Sequence, residues 1–277
     1  MRYSSATMEI KTYEPTDPTL RKYIQFYYEL ELNNEAYYAF PSESNVVCLF
    51  NNATVTYSTN KVFIQENKSK SNSNNFVALN KFTRPLFVKS EGLVKEFVII
   101  FKPQGLSQFI NTNQIRLPFF EINEFNSFKA ENKLFFSLEI EDKIKRIESF
   151  LLSSINEKNG LDIVSKSLDL MKKDKLTIQE IANECNCSYK KLYRLFLIHC
   201  GTTPMVMKKN IRFRNALQKM GHKGVNFKLS DIAFDLGYYD QAFFNKAFKK
   251  LTGETPKQFF KNVTVLSKND IYFKNIK

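Results

Sequence analysis

Residues 181–204, IANECNCSYKKLYRLFLIHCGTTP, and residues 232–256, IAFDLGYYDQAFFNKAFKKLTGETP, carry nearly the same pattern twice. Each begins Ile-Ala (Ile181-Ala182, Ile232-Ala233) and ends Gly-x-Thr-Pro (Gly201 to Pro204, Gly253 to Pro256). Inside each copy a polar residue, Ser188 or Asp240, opens a segment with apolar residues at helical spacing. In the first copy these are Leu192, Leu195 and Phe196, and in the second Phe244, Ala247 and Phe248. Two short helical units in each copy, closed by a turn, predict two helix-turn-helix modules in tandem. Such a pair points to DNA.

Charge agrees with that reading. The net charge is +13, yet residues 1–165 hold 19 Lys+Arg against 19 Asp+Glu, while residues 166–277 hold 22 against 9. The whole excess therefore lies in the part that contains the repeat, which is the footprint of a polyanion partner for one half only.

The chain of 277 residues is long enough for two domains with separate cores, and 27 Phe and 13 Tyr supply the apolar bulk. No run approaches the roughly 18 apolar residues of a membrane span, and the polar start does not resemble a signal peptide. Four unevenly spaced cysteines make no disulfide framework. A soluble cytoplasmic protein with reduced thiols is expected.

The predicted fold class is α+β. Residues 1–138 are expected to form a β-rich sensor or regulatory domain. Its strands are predicted at Val46–Phe50, Ala53–Tyr57, Lys61–Gln65, Phe76–Leu79 and Phe97–Phe101, runs of β-branched and aromatic residues between turn formers. Polar residues 66–75 read as a surface loop. A helix is expected over Leu20–Leu32, where Leu20, Ile24, Tyr27 and Tyr28 share a helical face, and a short one over Leu106–Asn111. Residues 139–160 are expected to be an amphipathic helix and linker, with Ile140, Ile144, Ile147 and Leu151 in one stripe. That stripe must bury on its own domain or on a second subunit, and it is the candidate dimer contact. Residues 161–277 are expected to be an all-α DNA-binding domain opened by a helix from Leu161 to about Lys173.

In the first module Thr177 and Glu180 form a capping box, and Ile178, Ile181 and Ala182 face inward. With Leu192, Leu195 and Phe196 buried, the next helix must present Tyr189, Lys190, Tyr193 and Arg194 to the outside. An outward arginine suits the O6/N7 edge of guanine, and the tyrosines suit thymine methyls or phosphates. In the second module Gln241, Ala242, Asn245 and Lys246 occupy the outward positions, where amides suit the N6/N7 edge of adenine. Met205 to Met220 lacks Pro and Gly and predicts a connector helix about 24 Å long. Such a rod can hold two recognition helices near one DNA turn apart, about 34 Å.

At these residues the chain resembles the AraC/XylS family of bacterial transcription regulators. The second module is similar to the family signature at Ile232-Ala233, Gly237-Tyr238, Asp240-Gln241, Phe244, Phe248 and Gly253-x-Thr255-Pro256. The first is similar at Ile181-Ala182, Ser188, Leu192, Arg194, Phe196, Gly201 and Pro204, and the connector at Arg212 and Ala216. The resemblance implies that Lys190, Tyr193, Arg194, Gln241, Ala242, Asn245 and Lys246 reach base edges. It also implies activation of transcription, contact with RNA polymerase, and an N-terminal domain that binds an effector, dimerises, or both. Two departures stand out: Cys185 and Cys187 sit in the first turn, and Lys246 replaces a common Arg, exchanging a planar fork for a point charge that weakens bidentate reading of guanine there.

Other chemistries find little support. Cys185, Cys187, His199 and Cys200 lack the spacing of a zinc site. With only His199 and His222 in the chain, and no histidine in residues 1–165, no histidine metal site in the β-rich half and few hydrolase constellations remain. No cofactor or metal is expected, and an enzyme tethered to DNA is the least favoured alternative. A nonspecific architectural DNA binder is the nearer one, although it would not need the Gln, Asn and Tyr pattern. An effector, if bound among so many aromatics and no histidine, is expected to be apolar.

Overall fold

Phe26, Tyr28, Leu30 and Leu32 alternate along residues 24–33, and this run is a strand, not the helix expected over Leu20–Leu32. Only Leu20–Lys22 makes a helical turn, of 3-10 type. The misleading helical stripe has a physical origin. The alternation is present, with Gln25, Glu29, Glu31 and Asn33 between the apolar positions. Only Tyr27, buried in the opposite core, breaks it, and Tyr27 is the residue that completes a helical stripe with Leu20, Ile24 and Tyr28.

The computed structural model describes residues 10–68, 74–111, 119–173, 176–222, 228–267 and 271–276. The β-rich half contains β1 (Thr12–Tyr13), β2 (Ile24–Asn33), β3 (Ala36–Ala39), β4 (Asn45–Asn51) and β5 (Ala53–Ser58). It continues with β6 (Lys61–Glu66), β7 (Asn74–Leu79), β8 (Leu86–Glu91), β9 (Leu93–Phe101) and β10 (Phe119–Glu121). The helices are α1 (Asn126–Glu131), α2 (Ile140–Ser153), α3 (Leu161–Lys172), α4 (Ile178–Glu184) and α5 (Tyr189–Cys200). Then follow α6 (Pro204–His222), α7 (Leu229–Asp235), α8 (Gln241–Thr252) and α9 (Pro256–Asn262), and the chain closes with β11 (Thr264–Ser267) and β12 (Ile271–Asn275). The five strands expected from sequence coincide with β4 to β7 and β9. Part of the loop expected over 66–75, residues 69–73, lies outside the described residues.

Two six-stranded sheets form, ordered β1-β2-β9-β4-β7-β10 and β11-β12-β3-β8-β6-β5. The pairings are antiparallel except β6 with β8. Between the sheets lies one core, with Phe26, Tyr28, Cys48, Val98 and Ile100 from the first and Val62, Ile64, Leu86 and Val88 from the second. The tail leaves the helical half expected over 161–277: β12 pairs with β3, placing Phe273 opposite Ala39. The Tyr37 and Phe273 rings stack there at 4.3 Å.

The other face of the first sheet is covered by α2. Ile144, Ile147 and Leu151 are buried with Tyr27, Val47, Phe76 and Phe97, and Ile140 packs at the margin. The candidate dimer contact is therefore corrected: the stripe is spent within its own subunit, because the open sheet face is the nearest apolar surface. Polar pins fix the same helix. Lys143 Nζ lies 2.7 Å from Glu29 Oε1, and Glu148 accepts from Thr16 N at 2.8 Å and from the Thr16 hydroxyl.

Candidate nucleic-acid interface and effector cavity

Each module is built by caps that start and stop its helices. Thr177 Oγ1 accepts from Glu180 N at 3.2 Å while Glu180 Oε2 accepts from Thr177 N at 2.7 Å, closing the expected capping box of α4. Ser188 caps α5 through Lys191 N at 3.2 Å, and Asp240 caps α8 through Phe243 N at 2.6 Å. Gly201 (φ 64) and Gly253 (φ 81) end these helices in the left-handed conformation that favours glycine. The two Gly-x-Thr-Pro signatures are thus C-caps followed by the starts of α6 and α9.

Leu192, Leu195 and Phe196 of α5 are buried against α3 and α4 residues such as Val164, Leu168, Ile181 and Ala182. That leaves Tyr189, Lys190, Tyr193 and Arg194 exposed, with the two tyrosine rings stacked at 6.4 Å. In α8, Phe244 and Phe248 are buried against Ile232, Ala233 and Leu236 of the second module and Phe213 of α6. Gln241, Ala242 and Lys246 are exposed there, whereas Asn245 is half-buried with an Oδ1 that lacks a hydrogen-bond partner among the described residues. Sequence reasoning missed an apolar group beside this face: Tyr239 (97% exposed), Phe234 (81%) and Phe243 (59%). The signal was present, since Phe234 and Phe243 fall off the inward stripe of their helices.

The connector α6 is 19 residues long, about 28 Å at the helical rise. It carries more than spacing. Its Asn210 donates to Ser42 O at 2.8 Å and Phe82 O at 3.2 Å, and its Arg214 donates to Pro41 O at 2.8 Å and Phe40 O at 3.2 Å. Arg212 lies over the Tyr238 ring, 5.0 Å from its centre. Phe40 itself enters the core of the second module, 4.7 Å from the ring of Phe259.

The residues weighed for zinc are dispersed in role. His199 is buried, its Nε2 3.0 Å from Asn159 O, and burial holds its pKa below the ordinary value. Cys185 Sγ lies 3.2 Å from Ser167 Oγ. Among the described residues no group of three His, Cys, Asp or Glu side chains is placed to hold a metal.

A cavity of about 180 Å³ opens between the two sheets and reaches α6. Phe26, Tyr28, Tyr37 and Ile100 line its interior, and Glu43, Lys81, Arg214, Gln218 and Tyr272 its α6 side. Glu96 is in the lining and 5% exposed. With no cation in contact among the described residues, burial pushes its carboxyl up to about 7. Sequence reading passed over this residue. Its signal was the inward series Val94, Glu96, Val98, Ile100 on β9, in which one carboxylate interrupts apolar positions.

Comparison with known proteins bears on the helix-turn-helix modules. A family model described as a helix-turn-helix domain matches residues 170–262. The raffinose operon transcriptional regulatory protein RafR of Pediococcus pentosaceus is 32% identical over 89 residues, 32% of this chain and 31% of that protein. The lactose operon transcription activator of Staphylococcus xylosus is 26% identical over 113 residues, 40% of this chain and 38% of that protein. The chain thus spans about a third of the length of these relatives. Among solved structures, ToxT from Vibrio cholerae superposes with a TM-score of 0.47 at 13% identity, covering 86% of this chain and 98% of that one. The matched segment coincides with the two capped modules and their connector: residues 170–262 of this chain form a helix-turn-helix domain.

Proposed function

We propose that the chain is a sequence-specific double-stranded DNA-binding regulator of transcription, acting as an activator on bacterial promoters in the cytoplasm. The observation that carries this reading is the matched pair of capped helices, α5 and α8, with exposed base-reading side chains on a basic scaffold. In this reading α5 places Tyr189, Lys190, Tyr193 and Arg194 in one major groove. Gln241, Ala242, Asn245 and Lys246 of α8 enter the next, joined by Phe243 and Tyr239 as apolar contacts for thymine methyls. Activator character is supported by the relative that bears that name, and contact with RNA polymerase follows from it.

The β-rich half is proposed to receive a small-molecule effector in the cavity between its sheets. Because Arg214 and Gln218 line that cavity from α6, an occupant touches the rod that spaces the two recognition helices. Occupancy can then bias their separation through differential contacts in the two states.

Selection of tight-binding sequences from random duplex DNA by the full chain tests the DNA reading. Enrichment of a motif with two half-sites about one helical turn apart is expected. Equal affinity for selected and random duplexes would instead mark a nonspecific architectural binder.

A further inference from the structure

We propose that the cavity selects a ligand with a small apolar or aromatic body and one protonated amine, with Glu96 as its counter-ion. This rests on the reading of the cavity as an effector site and adds the charge of the effector. On β9, Glu96 faces the space between the sheets, and its neighbours across the two adjoining strands are Leu30 and Phe50. Tyr28, Tyr37 and Cys48 are the titratable groups that face it, each held neutral by its own burial, and the Cys48 thiol gives the carboxyl a weak hydrogen bond but no charge. A buried carboxylate without a cation is costly, and an ammonium brought by a ligand removes that cost.

The cations that line the cavity are already engaged. Lys81 Nζ donates to Pro103 O at 2.9 Å, to Cys200 O at 2.8 Å and to Asn45 Oδ1. Arg214 donates to the carbonyls of Phe40 and Pro41. Glu43 adds a second acceptor, since its Oε2 is buried without a hydrogen-bond partner among the described residues. The cavity thus offers a buried carboxyl with no cation in contact among the described residues, beside aromatic faces, a combination suited to an ammonium. Its volume of about 180 Å³ matches a one-ring body, as a cavity of roughly 150 Å³ accommodates benzene.

Benzylamine, benzyl alcohol and benzoate share one ring and differ in charge, so they form the test. Calorimetric titration of the full chain is expected to give benzylamine about tenfold tighter binding than benzyl alcohol, with benzoate weakest. In Glu96→Gln, an isosteric change, that preference is expected to vanish while benzyl alcohol binds as before. Proton release on benzylamine binding near neutral pH, read from buffer-dependent heats in the unmutated chain, is expected as the pair forms. Tighter binding of benzyl alcohol or benzoate than of benzylamine would overturn the inference and leave the effector site standing. An amine preference that survives in Glu96→Gln would also overturn it. Absence of binding by all three probes would overturn both readings.

Discussion

Lys81 Nζ donates to the carbonyl oxygen of Cys200 at 2.8 Å, joining the loop after β7 to the last residue of the first recognition helix. The same ammonium holds Pro103 O and Asn45 Oδ1, and burial lowers its pKa to about 8. Next to it, Asn80 Nδ2 donates to Gly201 O at 2.8 Å. The orientation of the first module is therefore set from the β-rich half. Lys81→Met removes three hydrogen bonds, two of them to buried acceptors that each cost about 1–3 kcal/mol when left unpaired. The expected outcome is a lower melting temperature and separation of one calorimetric transition into two, as the halves uncouple.

Arg194→Ala is expected to cost about 1–3 kcal/mol of DNA binding and to relax preference at one base position. Lys209→Ala, exposed on α6, is expected to weaken every duplex alike or leave all unchanged. Competition binding with selected and random duplexes reads the difference. Equal losses for both duplexes in Arg194→Ala would remove it from base reading.

Leu151→Ala is expected to destabilise the β-rich half by about 2–5 kcal/mol, since its side chain is buried against the sheet. Sedimentation should be unchanged, because the stripe is covered within one subunit. A shift in sedimentation with an unchanged melting temperature would restore the subunit contact.

Glu96 gives stability a definite dependence on pH. An acid with an ordinary pKa of 4.5 unfolded and about 7 folded holds its proton more tightly in the native state. Stability contributed by this group is therefore present below about pH 4.5 and lost as pH rises to about 7, by roughly 3 kcal/mol at most. Glu96→Gln is expected to raise the melting temperature at pH 8 and to have little effect at pH 5. A difference between variant and parent that does not change with pH would contradict the burial of an ionisable carboxyl.

The sequence by itself determined the paired helix-turn-helix modules. Their information is local: caps at Thr177, Ser188 and Asp240, the glycines at 201 and 253, and apolar residues at helical spacing. Such signals act within one or two turns of backbone, so they can be read without knowing what packs where. The strands from β4 to β7 and β9 were legible for the same reason, as short β-branched runs between turn formers. Only the tertiary structure decided three other matters. It made residues 24–33 a strand, because Tyr27, buried on the face opposite Phe26, Tyr28 and Leu30, lends the run a helical stripe that competes with its alternation. It turned the stripe of α2 inward, because a helix face encodes that it must be buried but not by which surface. And it returned β12 to pair with β3 across more than two hundred residues, gathering Glu96, Arg214 and Tyr272 around one cavity. Backbone pairing of that range depends on where the intervening helices place the tail, and no window of sequence contains it.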